Sequence, residues 1–195
     1  MGILKAAVSR HVSVDTLWRP RATWPTLLVV ATFVFVACTN SSAAADTGNG
    51  SSDQAPDFGL VLFETENHAA GETIRLSQFR GHPVVVNHWF PSCPPCRAEM
   101  PEFEEAFQKH RDDGVVFVGV QNLASDSIAD GQEFIDEVGV TYANGPDEDN
   151  SILLAYEVIG FPSTYFVDKD QNIVRGWTGQ LNAEKLEQFI QELLD

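Results

Sequence analysis

The amino-acid sequence predicts an α/β fold, with a sheet covered by helices on both faces. Three observations carry that expectation. Val84–Trp89 (VVVNHW) and Val115–Val120 (VVFVGV) are mostly apolar on successive positions, as strands buried on both faces are. Segments with apolar residues at helical spacing follow these strands. Two further strands around the polar turn Asp168–Asn172, and a closing amphipathic helix, complete the alternation.

Each element has a local signal. Leu60–Phe63 and Thr73–Leu76 are short apolar runs, and the polar stretch Glu64–Glu72 between them reads as the turn region of a hairpin. After Val84–Trp89, Pro94–His110 carries Met100, Phe103 and Phe107 at spacings of three and four, a buried helical stripe. Pro101 lies inside that helix and is expected to kink it, because proline lacks the N–H and crowds the preceding turn. Ser127–Val138 is expected to be helical, with Ile128, Phe134, Ile135 and Val138 on one side. Asp149–Val158 should form a shorter helix. Thr164–Val167 and Ile173–Trp177 are the strands of the late hairpin. Asn182 is placed to cap the last helix, whose buried stripe is Leu186, Phe189, Ile190 and Leu193.

The chain has 195 residues and a formal charge of −16. Its first 38 residues hold Lys5, Arg10, Arg19 and Arg21 against Asp15, so residues 39–195 keep 8 basic and 27 acidic groups, a charge of −19. A body this acidic repels phosphates, which argues against a nucleic-acid partner. It argues equally against adsorption to anionic lipid through the protein surface. About 140 residues remain beyond the leader and tether, enough for one well-buried core.

The N-terminus reads as a leader over residues 1–38. Basic residues precede Thr26–Ala37 (TLLVVATFVFVA), twelve residues without a charge. A membrane span needs about 20 apolar residues, and a run this short suits the core of a secretory signal. Phe35-Val36-Ala37-Cys38 resembles the lipobox of bacterial lipoproteins, in which the cysteine becomes the lipidated N-terminus. Cleavage after Ala43-Ala44-Ala45, or retention as a short anchor, are the other readings. All three place the folded part outside the cytoplasm. Residues 39–55, rich in Ser, Gly and Ala, form a flexible tether, and residues 56–195 form the domain.

With Cys38 assigned to processing, Cys93 and Cys96 remain, three apart, between a buried strand and a helix start. A helix N-terminus presents unpaired N–H groups and partial positive charge, which favour a thiolate. Arg97 adds a cation one residue on. Cys93, at the loop–helix junction, is expected to be exposed and to act as the nucleophile. Cys96, one turn in, is expected to be covered and to resolve the mixed disulfide. Pro94 and Pro95 stiffen the loop and remove two backbone donors.

Asn87-His88-Trp89-Phe90-Pro91-Ser92-Cys93-Pro94-Pro95-Cys96-Arg97-Ala98-Glu99-Met100-Pro101 resembles the active-site segment of thioredoxin-fold proteins of the TlpA/ResA type. These are extracytoplasmic thiol–disulfide oxidoreductases, often membrane-tethered. Ala55-Pro56-Asp57-Phe58 resembles the opening of that family, and Gly160–Asp168 resembles its cis-proline loop. The likeness covers about residues 55–195. It implies a thioredoxin fold, a mixed central sheet flanked by helices with an added N-terminal β-hairpin. It implies that Pro162 is the cis-proline facing the cysteines and that Phe161 pairs with an extended substrate. Trp89 would pack beneath the loop. Asn87 stands where thioredoxins proper have a proton-moving aspartate, so water or another group has to relay the proton.

The resemblance further implies protein disulfides as substrates, with reduction the direction in that branch. Its clients include apocytochrome c and copper-site proteins. A reductant there draws on a membrane thiol donor, and no cofactor or metal is implied. Four positions depart from the family pattern. Ser92 replaces a tryptophan, His88 a phenylalanine, Phe90-Pro91 a pair of small residues, and Pro94-Pro95 a pair that often contains glutamate.

Other readings of the pair stay open. Zinc needs two further ligands, and the sequence offers no second C-x-x-C or spaced histidine pair. A purely structural disulfide would close a loop too small to stabilise much. A Cu(I) chaperone would use the two soft thiolates, with His88 nearby in sequence. A peroxidase of this fold would need a lone peroxidatic cysteine in its own motif. A disulfide-introducing oxidase would use the same two sulfurs in the opposite direction. His88 is otherwise a strand histidine with its hydrogen bonds satisfied, and His68, His82 and His110 read as surface residues.

Overall fold

The computed structural model describes residues 53–195; the expected leader, Cys38 and most of the expected tether lie outside the described residues. The elements are β1 (Gly59–Val61), β2 (Thr73–Arg75), β3 (Val84–Trp89), α1 (Pro94–His110), β4 (Val116–Asn122), α2 (Ile128–Val138), β5 (Ala143–Asp147), α3 (Ser151–Ala155), β6 (Ser163–Val167), β7 (Ile173–Thr178) and α4 (Ala183–Leu194). Short 3-10 turns follow β2 and α1. Among the described residues no helix is long and apolar enough to cross a membrane.

The central sheet has the order β5-β4-β3-β6-β7, and β1 and β2 form a separate antiparallel hairpin. β3 pairs with β4 in parallel and with β6 antiparallel, so the sheet is mixed, as expected for a thioredoxin fold. β3 is buried at all six positions. Its alternation divides the core. Val85 and Trp89 join α1, α2 and α4 on one face, through Met100, Phe103, Phe134 and Phe189. Val84 and Val86 join the hairpin and α3 on the other, through Leu60, Ile74 and Ile152.

The ends of the helices follow their sequence signals. Ser127 caps α2 and exchanges hydrogen bonds with Asp130 in a capping box. Asn182 caps α4 by accepting from the Lys185 N–H. α1 carries Pro101 in its interior and runs to His110 as one helix.

Away from the cysteine loop, the structure differs from the sequence reading in several elements and contacts. β5 lies in a segment with no strand signal. α3 is five residues long, half the expected span. Ile128 opens α2 and is 40% exposed, since the first helical residue after the cap points outward. His110 is buried, with its Nδ1 3.0 Å from Asp113 Oδ2 and its Nε2 2.9 Å from Glu187 Oε2. Ordered contacts also reach back to Asp53 within the expected tether. The Ile173 N–H donates to the Asp53 carbonyl, and the Ala55 N–H donates to Gln171 O at 2.8 Å.

Candidate active site

β3 ends at Trp89 and the chain turns through Phe90–Ser92 into α1. Cys93 is the N-cap of that helix, and Pro94 and Pro95 occupy its first two positions. Proline suits the start of a helix because no intrahelical acceptor exists there. It also means that Cys96 offers the first helical N–H. That N–H donates to the Cys93 sulfur at 3.2 Å. Cys93 and Cys96 are joined by a disulfide with an S–S distance of 2.05 Å.

Cys93 is 3% exposed and Cys96 fully buried. Both are in the core, so Cys93 is far less open than its place at the loop–helix junction implied. Aromatic rings account for this. Phe90 and Phe161 pack edge-to-face at 5.1 Å and both lean on the cluster that contains the cysteines. Phe161 belongs to the loop before β6, so this contact joins that loop to the cysteine loop. The Phe161–Pro162 peptide is cis. The sheet register sets His88 opposite Ser163, which brings Pro162 to the end of β3 where the cysteine loop begins. The Pro162 carbonyl accepts from the Gly179 N–H at 2.8 Å, and Ser163 Oγ donates to Gly160 O at 2.8 Å, fixing the loop from both sides.

Trp89 is buried in the same cluster as both cysteines. Its indole Nε1 donates to Asn144 Oδ1 at 3.1 Å, and its ring lies 5.4 Å from that of Phe134.

Arg97 does not serve Cys93 as the sequence implied. Its guanidinium donates to both oxygens of Glu137 at 2.7 Å and lies over the Phe134 ring. A bidentate carboxylate neutralises the charge where it was wanted.

Asn87 Nδ2 donates to Glu99 Oε1 at 2.9 Å and to Thr164 Oγ1 at 3.1 Å. The other Glu99 oxygen accepts from the Leu181 N–H at 2.8 Å. Glu99 is 1% exposed. Burial raises its carboxyl to about 7, against the hydrogen bonds from Leu181 and Asn87, which favour the ionised form. The sequence reading missed Glu99, although the signal was there. Glu99 falls one turn after Cys96, on the stripe that Met100 and Phe103 mark as buried.

His88 faces the other side of the sheet from the cysteine cluster. Its ring lies 5.5 Å from Tyr156 and 5.8 Å from Tyr165, and neither ring nitrogen has a hydrogen-bond partner. Burial lowers its pKa to about 3. It is therefore neither a satisfied strand histidine nor a neighbour of the sulfurs. Among the described residues no three histidine, cysteine or carboxylate side chains converge into a metal-ligand set.

The geometry supports thiol–disulfide exchange: two cysteines at a helix N-terminus, a fixed loop opposite and a buried acid near neutrality. Known proteins agree with it. The AhpC/TSA family profile matches residues 52–175. The thiol-disulfide oxidoreductase ResA of Oceanobacillus iheyensis is 30% identical over 141 residues, covering 72% of this chain and 71% of that protein. A Chlorobium tepidum structure, assigned as the thiol:disulfide interchange protein DsbE, has 26% identity and a TM-score of 0.65, covering 73% of this chain and 96% of that one. The exposed lipoprotein thioredoxin of Streptococcus pneumoniae has 25% identity and a TM-score of 0.61, covering 71% and 100%. The chain belongs to the AhpC/TSA family and, within it, is a thiol-disulfide oxidoreductase of the ResA/DsbE type.

Proposed function

We propose that the protein reduces disulfides of protein substrates outside the cytoplasm, tethered to the membrane by a lipid on Cys38. The observation that carries the direction is the meagre support for a Cys93 thiolate. Pro94 and Pro95 supply no N–H, Cys96 supplies one, and Arg97 is neutralised by Glu137. Strong oxidants of this fold have a stabilised reduced form, and beyond that one N–H at the helix start this site offers little to stabilise it.

The exchange runs in two steps. The Cys93 thiolate attacks one sulfur of the substrate disulfide; that bond breaks, a mixed disulfide forms, and the departing thiolate takes up a proton. Glu99, ionised for part of the time near pH 7, removes the Cys96 proton. Cys96 then attacks the Cys93 sulfur and releases the second substrate thiolate. Two electrons and two protons pass to the substrate, and the Cys93–Cys96 disulfide is left behind. Phe161 and Pro162 hold the substrate strand, Trp89 supports the loop, and Asn87 orients Glu99.

A reductant in an oxidising compartment needs its electrons replenished, which calls for a membrane thiol donor. The lipoprotein nature of the pneumococcal relative supports the Cys38 reading. The folded domain of the present protein would begin at about residue 56, after the tether, with ordered contacts reaching back to Asp53. Maturation of cytochrome c is the process whose client chemistry, a cysteine pair oxidised before haem attachment, suits such a reductant.

The reduction potential tests the direction. Equilibration with glutathione should give a value below about −250 mV, and one above about −150 mV would make the protein a disulfide-introducing oxidase. Cys93→Ser should abolish turnover, whereas Cys96→Ser should trap mixed disulfides. Full activity in both variants would end the mechanism. Removing Cu(I) should leave turnover unchanged, against the metallochaperone reading. The mass of the mature N-terminus distinguishes lipidated Cys38 from cleavage after Ala45.

A further inference from the structure

Ser92 adjoins Cys93 and ties the redox loop to the loop between β4 and α2. Its backbone N–H and its hydroxyl both donate to one oxygen of Asp126, at 3.3 and 2.8 Å. Ser125 Oγ stands 3.5 Å from the same hydroxyl. Asp126 has no other duty at the helix start. Ser127 is the cap of α2, and Asp130 completes its capping box. The Asp126 loop is itself fixed: the Asp126 N–H donates to Leu123 O at 2.6 Å and the Ala124 N–H to Asn122 Oδ1 at 3.1 Å. The carboxylate thus sits against the residue before the attacking sulfur, on a loop with its own backbone hydrogen bonds.

We propose that Asp126 is a positioning residue of the redox site, acting through Ser92. It holds the Cys93 loop in place, and its negative charge opposes the Cys93 thiolate, biasing the couple toward the disulfide and so toward electron donation. The proposal rests on the reading of Cys93 as the attacking sulfur. A carboxylate close to a thiol disfavours the thiolate, and a less stable thiolate makes the dithiol a stronger reductant.

Other charged groups lie on the elements that pack near the redox loop, but they are placed differently. From α1, Arg97 is paired with Glu137 and Glu99 is buried one turn further on. From α2, Asp130 is engaged by Ser127, and Glu133 and Glu137 line a groove of about 230 Å³ with Ser92 and Arg97. From the segment before Pro162 comes only the exposed Glu157. Asp126 is the charged group bonded to the neighbour of Cys93.

The test compares the full-length protein with Asp126→Asn, Asp126→Glu, Ser92→Ala and the Ser92→Ala/Asp126→Asn double variant. Asparagine keeps an acceptor for Ser92 and removes the charge, so geometry and charge separate. In the reduced proteins, the pH dependence of Cys93 alkylation should shift to lower pH in Asp126→Asn. The glutathione equilibrium should move about threefold toward the dithiol, equivalent to about 14 mV for a two-electron couple. Asp126→Glu should hold the wild-type equilibrium. Ser92→Ala should shift both readouts less, and the double variant should match Asp126→Asn. Added salt should shrink the difference, because the carboxylate is part-exposed. An unchanged profile and equilibrium in Asp126→Asn would overturn the proposal, as would full additivity in the double variant. Peptide mapping of the alkylated cysteine keeps the two readings apart. Labelling of Cys96 first would remove Cys93 as nucleophile, while the glutathione equilibrium would still report the charge of Asp126.

Discussion

Asn87 and His88 are neighbours on β3 and face opposite sides of the sheet, and both are buried. On the Asn87 side the carboxylate is paired: Glu99 accepts from Asn87 and from Leu181, its carboxyl is raised to about 7, and Asn87 Oδ1 is the one atom of this pair left without a partner. On the His88 side the imidazole sits among Tyr156 and Tyr165 with both nitrogens unpartnered, and burial lowers its pKa to about 3. Burial shifts both groups toward their neutral forms. Only one of them is left able to change charge near pH 7. Burial carries the acid up toward neutrality and the base down away from it; hydrogen bonds restrain the rise of Glu99, while nothing offsets the desolvation of His88.

The contrast is sharpest in the dependence of stability on pH. His88 binds its proton in the unfolded chain near 6.5 and in the folded one near 3. Stability should therefore fall as pH drops below about 6.5, by roughly 4–5 kcal/mol when pH 3 is reached. Glu99 has the opposite sign, with a folded pKa of about 7 against 4.5 unfolded. Its contribution is fully present below pH 4.5 and is lost as pH rises through 7, roughly 3 kcal/mol in all. Urea unfolding between pH 4 and 8 separates the two. His88→Phe should flatten the acid limb and raise stability, and Glu99→Gln should flatten the limb toward pH 8. An acid limb that survives His88→Phe would show that the proton goes elsewhere.

Activity should divide the same two residues, with a somewhat smaller free-energy effect. Glu99→Gln should lower kcat/KM for a protein disulfide about 100-fold at pH 7, the lower end of what a general acid–base contributes. The limb of its pH–rate profile near 7 should disappear. His88→Phe should stay within about twofold of wild type, since hydrophobic replacement of an unpaired buried group disturbs little. If the two variants lost activity equally, the face of the sheet would not matter and the assignment of Glu99 would be wrong.

Sequence made one half of this arrangement legible. The β-branched run before Cys93, the helical stripe after it and the Gly160–Asp168 segment define the strand, helix and loop that carry the sulfurs. What stayed hidden depends on partners distant in the chain. β5 looks like a loop because Asn144, Gly145 and Pro146 are chosen for their neighbours. Asn144 receives the Trp89 indole, and a Cβ on Gly145 would lie 2.1 Å from the Val61 carbonyl of the hairpin. Pro146 is tolerated because β5 is an edge strand. Arg97 looked available until Glu137, forty residues on, took its guanidinium. His110 looked like a surface residue because Glu187, which meets its Nε2, comes from α4.

That dependence on distant partners supplies the finest test. Trp89 supports the cysteine loop, and its indole N–H reaches only Asn144, on the strand the sequence concealed. Asn144→Ala alone should leave that N–H buried without an acceptor, a cost of about 1–3 kcal/mol. Trp89→Phe removes the donor itself, so Asn144→Ala should cost less in that background. The remaining bond from Asn144 Nδ2 to Tyr142 O is present in both backgrounds and cancels. A double-mutant cycle should therefore return a coupling of about 1 kcal/mol. The redox potential should move with the Trp89 variants and little with Asn144→Ala, because the ring, rather than its hydrogen bond, lies in the cluster that contains the sulfurs. A coupling near zero would mean that packing against Phe134 alone seats the indole, and β5 would then support the site only through its pairing with β4.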